Sequence, residues 1–276
     1  MPIEFDRDHW ALVLGGSSGF GLAAAHRLAR HGMNVAIVHR DRRGAMAAIE
    51  PAFEAIRALG VGFAAWNLDA LAAEGRRTVL DALAERLGER GRVRVLLHSI
   101  AFGNLKLLAP LPPGHPATGA YDPDARLDEE DFARTIHAMG TSLVSWTQDV
   151  HARGLFAPSA RVLGLTSEGN EVAWRGYAAV AAAKCALESV IRAIALELAP
   201  YGVRANVLQP GITDTPALRL IPGSERMKEE ARARNPCGRL TTPEDVAGVI
   251  ALLATDEAAW INGAILRVDG GERIGG

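Results

Sequence analysis

The chain has 276 residues, 49% of them apolar, and 30 basic against 32 acidic side chains for a net charge of -2. That length and apolar content allow one full core, and the scatter of Lys and Arg argues against nucleic acid or an anionic membrane as a partner. The two cysteines, Cys185 and Cys237, argue against a disulfide framework; with no signal segment and no apolar run near the roughly 20 residues of a bilayer span, a soluble, cytoplasmic single domain over 1–276 is expected.

Trp10–Leu14 is an apolar run that ends in Gly15-Gly-Ser-Ser-Gly19-Phe-Gly21, and a helical pattern through Leu22, Ala25, Leu28 and Ala29 follows. Strand, tight turn and helix in that order let the backbone close on a pyrophosphate, whose charge the helix N-terminus favours. Gly15, Ser17, Ser18, Gly19, Phe20 and Gly21 are therefore expected to bind a dinucleotide. The second run, Asn34–His39, ends in Arg40-Asp-Arg-Arg43. An acidic residue at that strand end would bind the ribose hydroxyls of NAD. Arg40 in first place suits the 2′-phosphate of NADP instead, a solvated loop being the alternative.

A helix over 44–59 follows, bent or restarted at Pro51, and then a third strand from Val61 to Leu68. Asp69, just past that strand, is placed to accept from an adenine amino group. Asn67 competes for that role, and either residue could instead cap the helix expected over 72–88. The fourth strand, Val93–Leu97, runs into His98-Ser-Ile-Ala-Phe102. The residues Ser99, Ile100 and Ala101 at its end let backbone lie against the cofactor. His98 has no visible carboxylate neighbour and reads as structural.

Residues 109–126, rich in Pro and Gly, cannot hold a helix or strand for long and form a loop insertion: a lid, a binding loop or a disordered segment. Leu127-Asp-Glu-Glu opens a long helix to Ala152, with its acids in the first turn as the dipole favours. The fifth strand, Ala160–Thr166, leads past Ser167 to Tyr177-Ala-Ala-Val-Ala-Ala-Ala-Lys184. Here a phenol and an ammonium stand among residues too small to compete with them. On a helix the two share a face, about 10 Å apart along the axis. That separation suits a lysine that grips a bound molecule while the tyrosine addresses its reactive end; the alternative is a core helix with a surface lysine. Cys185 reads as a buried helix thiol.

A sixth strand, Val203–Leu208, breaks at Pro210-Gly211, and Thr213 and Thr215 follow where a backbone group and a hydroxyl could hold a nicotinamide carboxamide. The segment 213–236, with Arg219, Arg226, Lys228, Arg232 and Arg234, reads as a mobile substrate flap. Thr242-Pro-Glu-Asp starts a helix with its cap, and Ala264–Val268 is the last strand, before Asp269-Gly-Gly271. Strands and helices alternate without a linker. The pattern predicts an α/β fold, a single-domain Rossmann-type doubly wound parallel sheet with helices on both faces. No metal site is read.

These residues resemble the short-chain dehydrogenase/reductases over nearly the whole chain: Gly15/Gly19/Gly21, the turn at 98–101, the Tyr/Lys helix, Pro210 through Thr215, and Val268-Asp-Gly-Gly271. Ordinary members carry Tyr-x3-Lys, but Val180 stands four residues before Lys184; they also carry an Asn where Met139 is the nearest match. Both departures resemble the divergent enoyl-acyl-carrier-protein reductases, which have Tyr-x6-Lys and a His-Ser-Ile turn. The C-terminal third, with Asp214-Thr-Pro-Ala-Leu218 and Asn235-Pro-Cys-Gly-Arg239, is similar to their NADPH-dependent bacterial subgroup.

The resemblance implies NADPH-dependent reduction of a trans-2-enoyl thioester, carried on acyl carrier protein or coenzyme A, by a homotetramer. In it Tyr177 stabilises the developing enolate, and Lys184 binds the nicotinamide ribose and lowers the phenol's pKa. Leu105, Leu107, Leu108, Leu111, Leu218, Leu220 and Ile221 could line an acyl pocket, and the basic flap could greet an acidic carrier or be solvated. The rival readings are a carbonyl reductase using Ser167 or Thr166, and a non-catalytic dinucleotide sensor.

Overall fold

Seven strands form one parallel sheet in the order β3-β2-β1-β4-β5-β6-β7. They are β1 (His9–Leu14), β2 (Asn34–His39), β3 (Phe63–Asn67), β4 (Arg92–His98), β5 (Phe156–Leu165), β6 (Arg204–Pro210) and β7 (Ile265–Val268). The structure is a computed structural model that describes residues 3–117, 120–122 and 124–275. Nearly continuous apolar strands are what a sheet buried on both faces requires. Side chains alternate between the two faces: Trp10, Leu12 and Leu14 enter one core, and Ala11 and Val13 enter the other.

Helices α1 (Gly19–Arg30), α2 (Met46–Arg57) and α9 (Pro243–Leu253) share the second core, whereas α3 (Ala73–Leu87), α5 (Ser142–Ala152) and α6 (Ala178–Glu197) share the first. Strand order reverses between β1 and β4, so the loops after those strands part and leave the crevice where dinucleotides bind in such sheets. The fold expected from the sequence is the one present.

Two local expectations change. Pro51 does not restart a helix: α2 runs through it with Pro51 on the exposed side, after a 3-10 turn at Arg43–Ala45. The long helix expected over 127–152 runs unbroken from residue 129 to 152, but as α4 (Glu129–Ile136) and α5 with a π turn at His137–Thr141 between them. Gly140 in that turn presses on α6, where an added Cβ would stand 2.8 Å from the Ala183 carbonyl oxygen. The wide turn carries Met139 to the crevice wall, as such bulges often do at functional sites.

The flap is helical, folding as α7 (Pro216–Arg219) and α8 (Ser224–Arg234), and α8 is anchored at its foot: Ala231 is buried and Arg234 pairs with Glu168 and Glu272. Glu168 and Glu272 lie far from the flap in sequence, so its own charge pattern did not show these contacts.

Candidate active site

Two adjoining hollows at the C-terminal ends of the strands share Phe20, Ser99, Ile100, Ala101 and Thr215 and make one cleft. Gly15, Ser17, Ser18, Gly19, Arg40 and Asp69 line its outer part, and Tyr177, Lys184, Pro210, Gly211 and Thr213 line its inner part. Gly21 does not line it. A Cβ there would stand 2.1 Å from the Gly15 carbonyl oxygen, so Gly21 lets α1 close against the turn. The N-terminus of α1 has no acidic residue in its first turn and its N-cap, Ser18, makes no side-chain bond to it. Its free amides therefore fit a pyrophosphate.

Around the adenosine end the polar groups sort themselves by their bonds. Asn67 is spent bracing the neighbouring loop: its side chain accepts from the Asp41 N–H at 2.9 Å and donates to the Asp41 carbonyl at 3.0 Å. Asp69 accepts from the Leu71 N–H at 2.9 Å and from Arg40 at 3.1 Å, and is not the helix cap, which is Ala72. The Asp41 carboxylate is held by the buried His39 ring at 2.8 Å.

At the inner end Tyr177 is the N-cap residue of α6, one step outside the helix. Its hydroxyl donates to Ser167 Oγ at 3.2 Å, and Trp174 packs edge-on against its ring at 5.1 Å. Burial pushes the phenol's pKa up, and the Ser167 bond draws it down. The expected lowering by Lys184 is absent: the ammonium is turned away to the Leu165 carbonyl oxygen at 2.8 Å. Lys184 itself is 7% exposed, and burial lowers its pKa to about 8, with Glu188 one turn on opposing the fall. Glu188 accepts hydrogen bonds from Thr166 and Asn170.

His98 is structural, as expected. Its ring is 1% exposed and bonds Ser142 Oγ at 2.9 Å, and burial lowers its pKa to about 3. The Thr215 hydroxyl accepts from Leu218 N as the cap of α7, and Thr213 donates to the Gly211 carbonyl, so both threonines also brace the loop. Leu105, Leu218, Leu220 and Ile221 line the cleft with Met139 and Val180; Leu107 is buried elsewhere, and Leu108 stands exposed. Leu111 does not line the cleft. Cys185 is exposed rather than buried, because it lies on the outer face of α6. Among the described residues no group of three His, Cys, Asp or Glu side chains is arranged to hold a metal ion, and no helix is long and apolar enough to cross a membrane.

Sequence reasoning missed Glu188, Trp174, Glu168 and Glu272. Glu188 had a signal, its i+4 spacing from Lys184; the last two meet only through the fold.

A doubly wound sheet with a glycine-lined cleft at its reversal point and a Tyr/Lys pair at the inner end defines a nicotinamide-dinucleotide oxidoreductase. The chain matches the family described as enoyl-(acyl carrier protein) reductase over residues 15–272, and it belongs to that family, within the short-chain dehydrogenase/reductases. It is 30% identical over 264 residues to the 3-oxoacyl-[acyl-carrier-protein] reductase MabA of Mycobacterium tuberculosis, covering 96% of this chain and 92% of that protein. It is also 30% identical over 271 residues to the 1-cyclohexenylcarbonyl-CoA reductase of Streptomyces collinus, covering 98% and 88%. The enoyl-[acyl-carrier-protein] reductase (NADH) of Aquifex aeolicus has the same fold, with a TM-score of 0.80 at 24% identity over 99% of this chain and 98% of that one.

Proposed function

We propose that the enzyme reduces the trans-2 double bond of an enoyl thioester with NADPH. The observation that carries this reading is the position of its phenol. Val180, four residues before Lys184, gives the cleft wall an isopropyl group, and the hydroxyl enters instead from Tyr177 at the head of α6, among Met139, Val180 and Trp174. The relative from Streptomyces collinus is named for reduction of a conjugated acyl-CoA.

When bound, NADPH supplies hydride to C3 of the substrate. Charge then gathers on the thioester oxygen, where the Tyr177 hydroxyl donates; its raised pKa keeps the phenol protonated for that bond. A donor of this kind in a dry site is worth roughly 3 kcal/mol. C2 takes a proton from solvent water, leaving hydroxide to be neutralised by the buffer, and the saturated thioester departs. Lys184 holds the nicotinamide ribose, and Thr213 and Thr215 flank the carboxamide. Arg40 and Arg42 meet the 2′-phosphate; Asp41, which would repel it, is engaged by His39.

The thioester is the proposed partner, on acyl carrier protein or coenzyme A. Pairing within the flap and with the wall reduces the positive charge offered to a carrier: Arg219 and Lys228 pair with Asp214, Arg226 with Glu230 and Arg234 with Glu168. A homotetramer is the proposed assembly, supported by the exposed Leu196, Leu252 and Trp260. Light scattering on the purified protein reads it.

A second reading, reduction of a 3-oxoacyl thioester, is favoured by the Tyr177–Ser167 bond, since two adjacent hydroxyls suit a ketone oxygen. NADPH oxidation with matched enoyl and 3-oxoacyl thioesters decides between them. Turnover of the enoyl substrate alone supports the proposal, and turnover of the oxo substrate alone replaces it with the second reading.

A further inference from the structure

Behind the cleft lining, a partly buried charge cluster joins its two walls. Glu272, 2% exposed, lies in the turn after β7. One oxygen of its carboxylate accepts from the Ile212 N–H at 3.0 Å, and the other accepts from Arg234 at 2.6 Å. Gly211 makes room for this: a Cβ there would stand 2.6 Å from the Glu272 carboxylate and 2.5 Å from Thr241 Oγ1. The same Arg234 nitrogen, at the last residue of α8, reaches Glu168 at 2.8 Å. Glu168 follows Ser167, the partner of the Tyr177 hydroxyl, and Arg273 holds its second oxygen at 2.6 Å.

One guanidinium at the foot of the flap thus ties the wall that carries the phenol to the loop after β6. A carboxylate buried this far is costly unless its lone pairs are filled, and such a pair adds little stability over apolar packing. What it supplies is geometry. A charge-assisted acceptor holds the Ile212 amide in one place, on a loop whose neighbours Gly211 and Thr213 both line the cleft.

We propose that Glu272, held by Arg234, is a positioning residue that sets loop 210–215 for the nicotinamide end of the cofactor. This rests on the assignment of that loop to the cofactor, and not on which acyl substrate is reduced. Neither Glu272 nor Arg234 lines the cleft, so both act through Ile212 and Glu168.

The test uses the full chain without substrate. NADPH dissociation constants are measured by cofactor fluorescence, and amide hydrogen exchange is followed over 210–215, in wild type, Glu272→Ala, Glu272→Gln and Arg234→Ala. Loss of a charged acceptor predicts exchange over 210–215 in Glu272→Ala about tenfold faster than wild type before NADPH is added, and NADPH binding about tenfold weaker. Glu272→Gln keeps an oxygen for the Ile212 N–H and is expected to recover most of the protection. Arg234→Ala, which frees the carboxylate, falls between them. A lowered melting temperature with exchange and NADPH affinity both unchanged would overturn the proposal, as would Gln behaving like Ala. If Glu272→Ala does not fold, Glu272→Gln and Arg234→Ala carry the same comparison. If exchange quickens in Glu272→Ala while NADPH affinity stays as in wild type, Glu272 holds the loop but the loop does not hold the cofactor; that overturns the assignment of 210–215 and leaves the acyl reading untouched.

Discussion

Gly169 lies against the ring of Tyr177 so closely that a Cβ on it would stand 2.4 Å from Cε1 and 2.7 Å from Cδ1. The absence of a side chain at 169 therefore decides where the phenol points. Gly169→Ala displaces the ring, and a shift of about 1 Å at a reacting group costs on the order of 100-fold in rate. The expected result is kcat lower by about that factor with NADPH affinity unchanged, read by steady-state kinetics beside fluorescence titration. Wild-type kcat in Gly169→Ala would mean that the phenol's position does not matter.

Arg40 reaches Asp69 at 3.1 Å from the rim of the cofactor cleft, with two-thirds of its side chain exposed. A guanidinium so placed is available to a 2′-phosphate. Arg40→Ala is expected to weaken NADPH binding about 10- to 100-fold, the worth of a charged hydrogen bond, and to leave NADH unaffected. Equal losses for the two cofactors would assign Arg40 to the loop rather than the phosphate.

Lys184 titrates near pH 8 because burial disfavours its charge, whereas the unfolded chain keeps its proton to about 10.5. Between those values the unfolded state binds more protons, so this group's contribution to stability rises with pH across the window and is flat below it. In the proposed role of Lys184 at the nicotinamide ribose, binding needs the ammonium. NADPH affinity of the wild type is thus expected to fall as pH climbs through 8, and Lys184→Met is expected to bind weakly with no such step. A step of the same size in Lys184→Met would assign it to another group.

His98 obeys the same sign in a lower pH window. Its folded pKa is about 3 against 6.5 when unfolded, so the unfolded chain takes up a proton that the folded chain refuses. The stabilising neutral form counts fully above 6.5 and is lost as pH falls toward 3, by on the order of 1 kcal/mol per pH unit. Melting temperatures at stepped pH should fall less steeply on the acid side in His98→Asn than in wild type. Parallel curves would show that His98 does not contribute to acid sensitivity.

Much of this was open to reading in the chain. Seven apolar runs bounded by Gly, Pro or small residues marked β1 to β7, and the glycine turn after β1 with the Tyr177/Lys184 pair marked the two ends of the cleft. Periodicity and punctuation are local signals, and these features are local. What stayed hidden depends on distant partners. Arg234 looked like one more solvated flap charge until Glu168 and Glu272, 66 and 38 residues away, closed on it. The π turn at His137–Thr141 brings Gly140 against the Ala183 carbonyl on another helix, a contact that no window over 127–152 contains. The pKa of Tyr177 was misjudged for a similar reason: the spacing to Lys184 was legible, but the turn of its ammonium toward Leu165 was not.

The most direct measurement of the central claim is kcat/KM for a trans-2-enoyl thioester with NADPH, in wild type and Tyr177→Phe. The ring of Tyr177 packs on Gly169 and Trp174 with or without its hydroxyl, so the variant should fold and bind NADPH. The account predicts a fall of about 100- to 1000-fold in kcat/KM for the variant, the cost of removing one donor to a developing oxyanion. Enoyl turnover in Tyr177→Phe equal to wild type would contradict it, and would move the chemistry away from the head of α6.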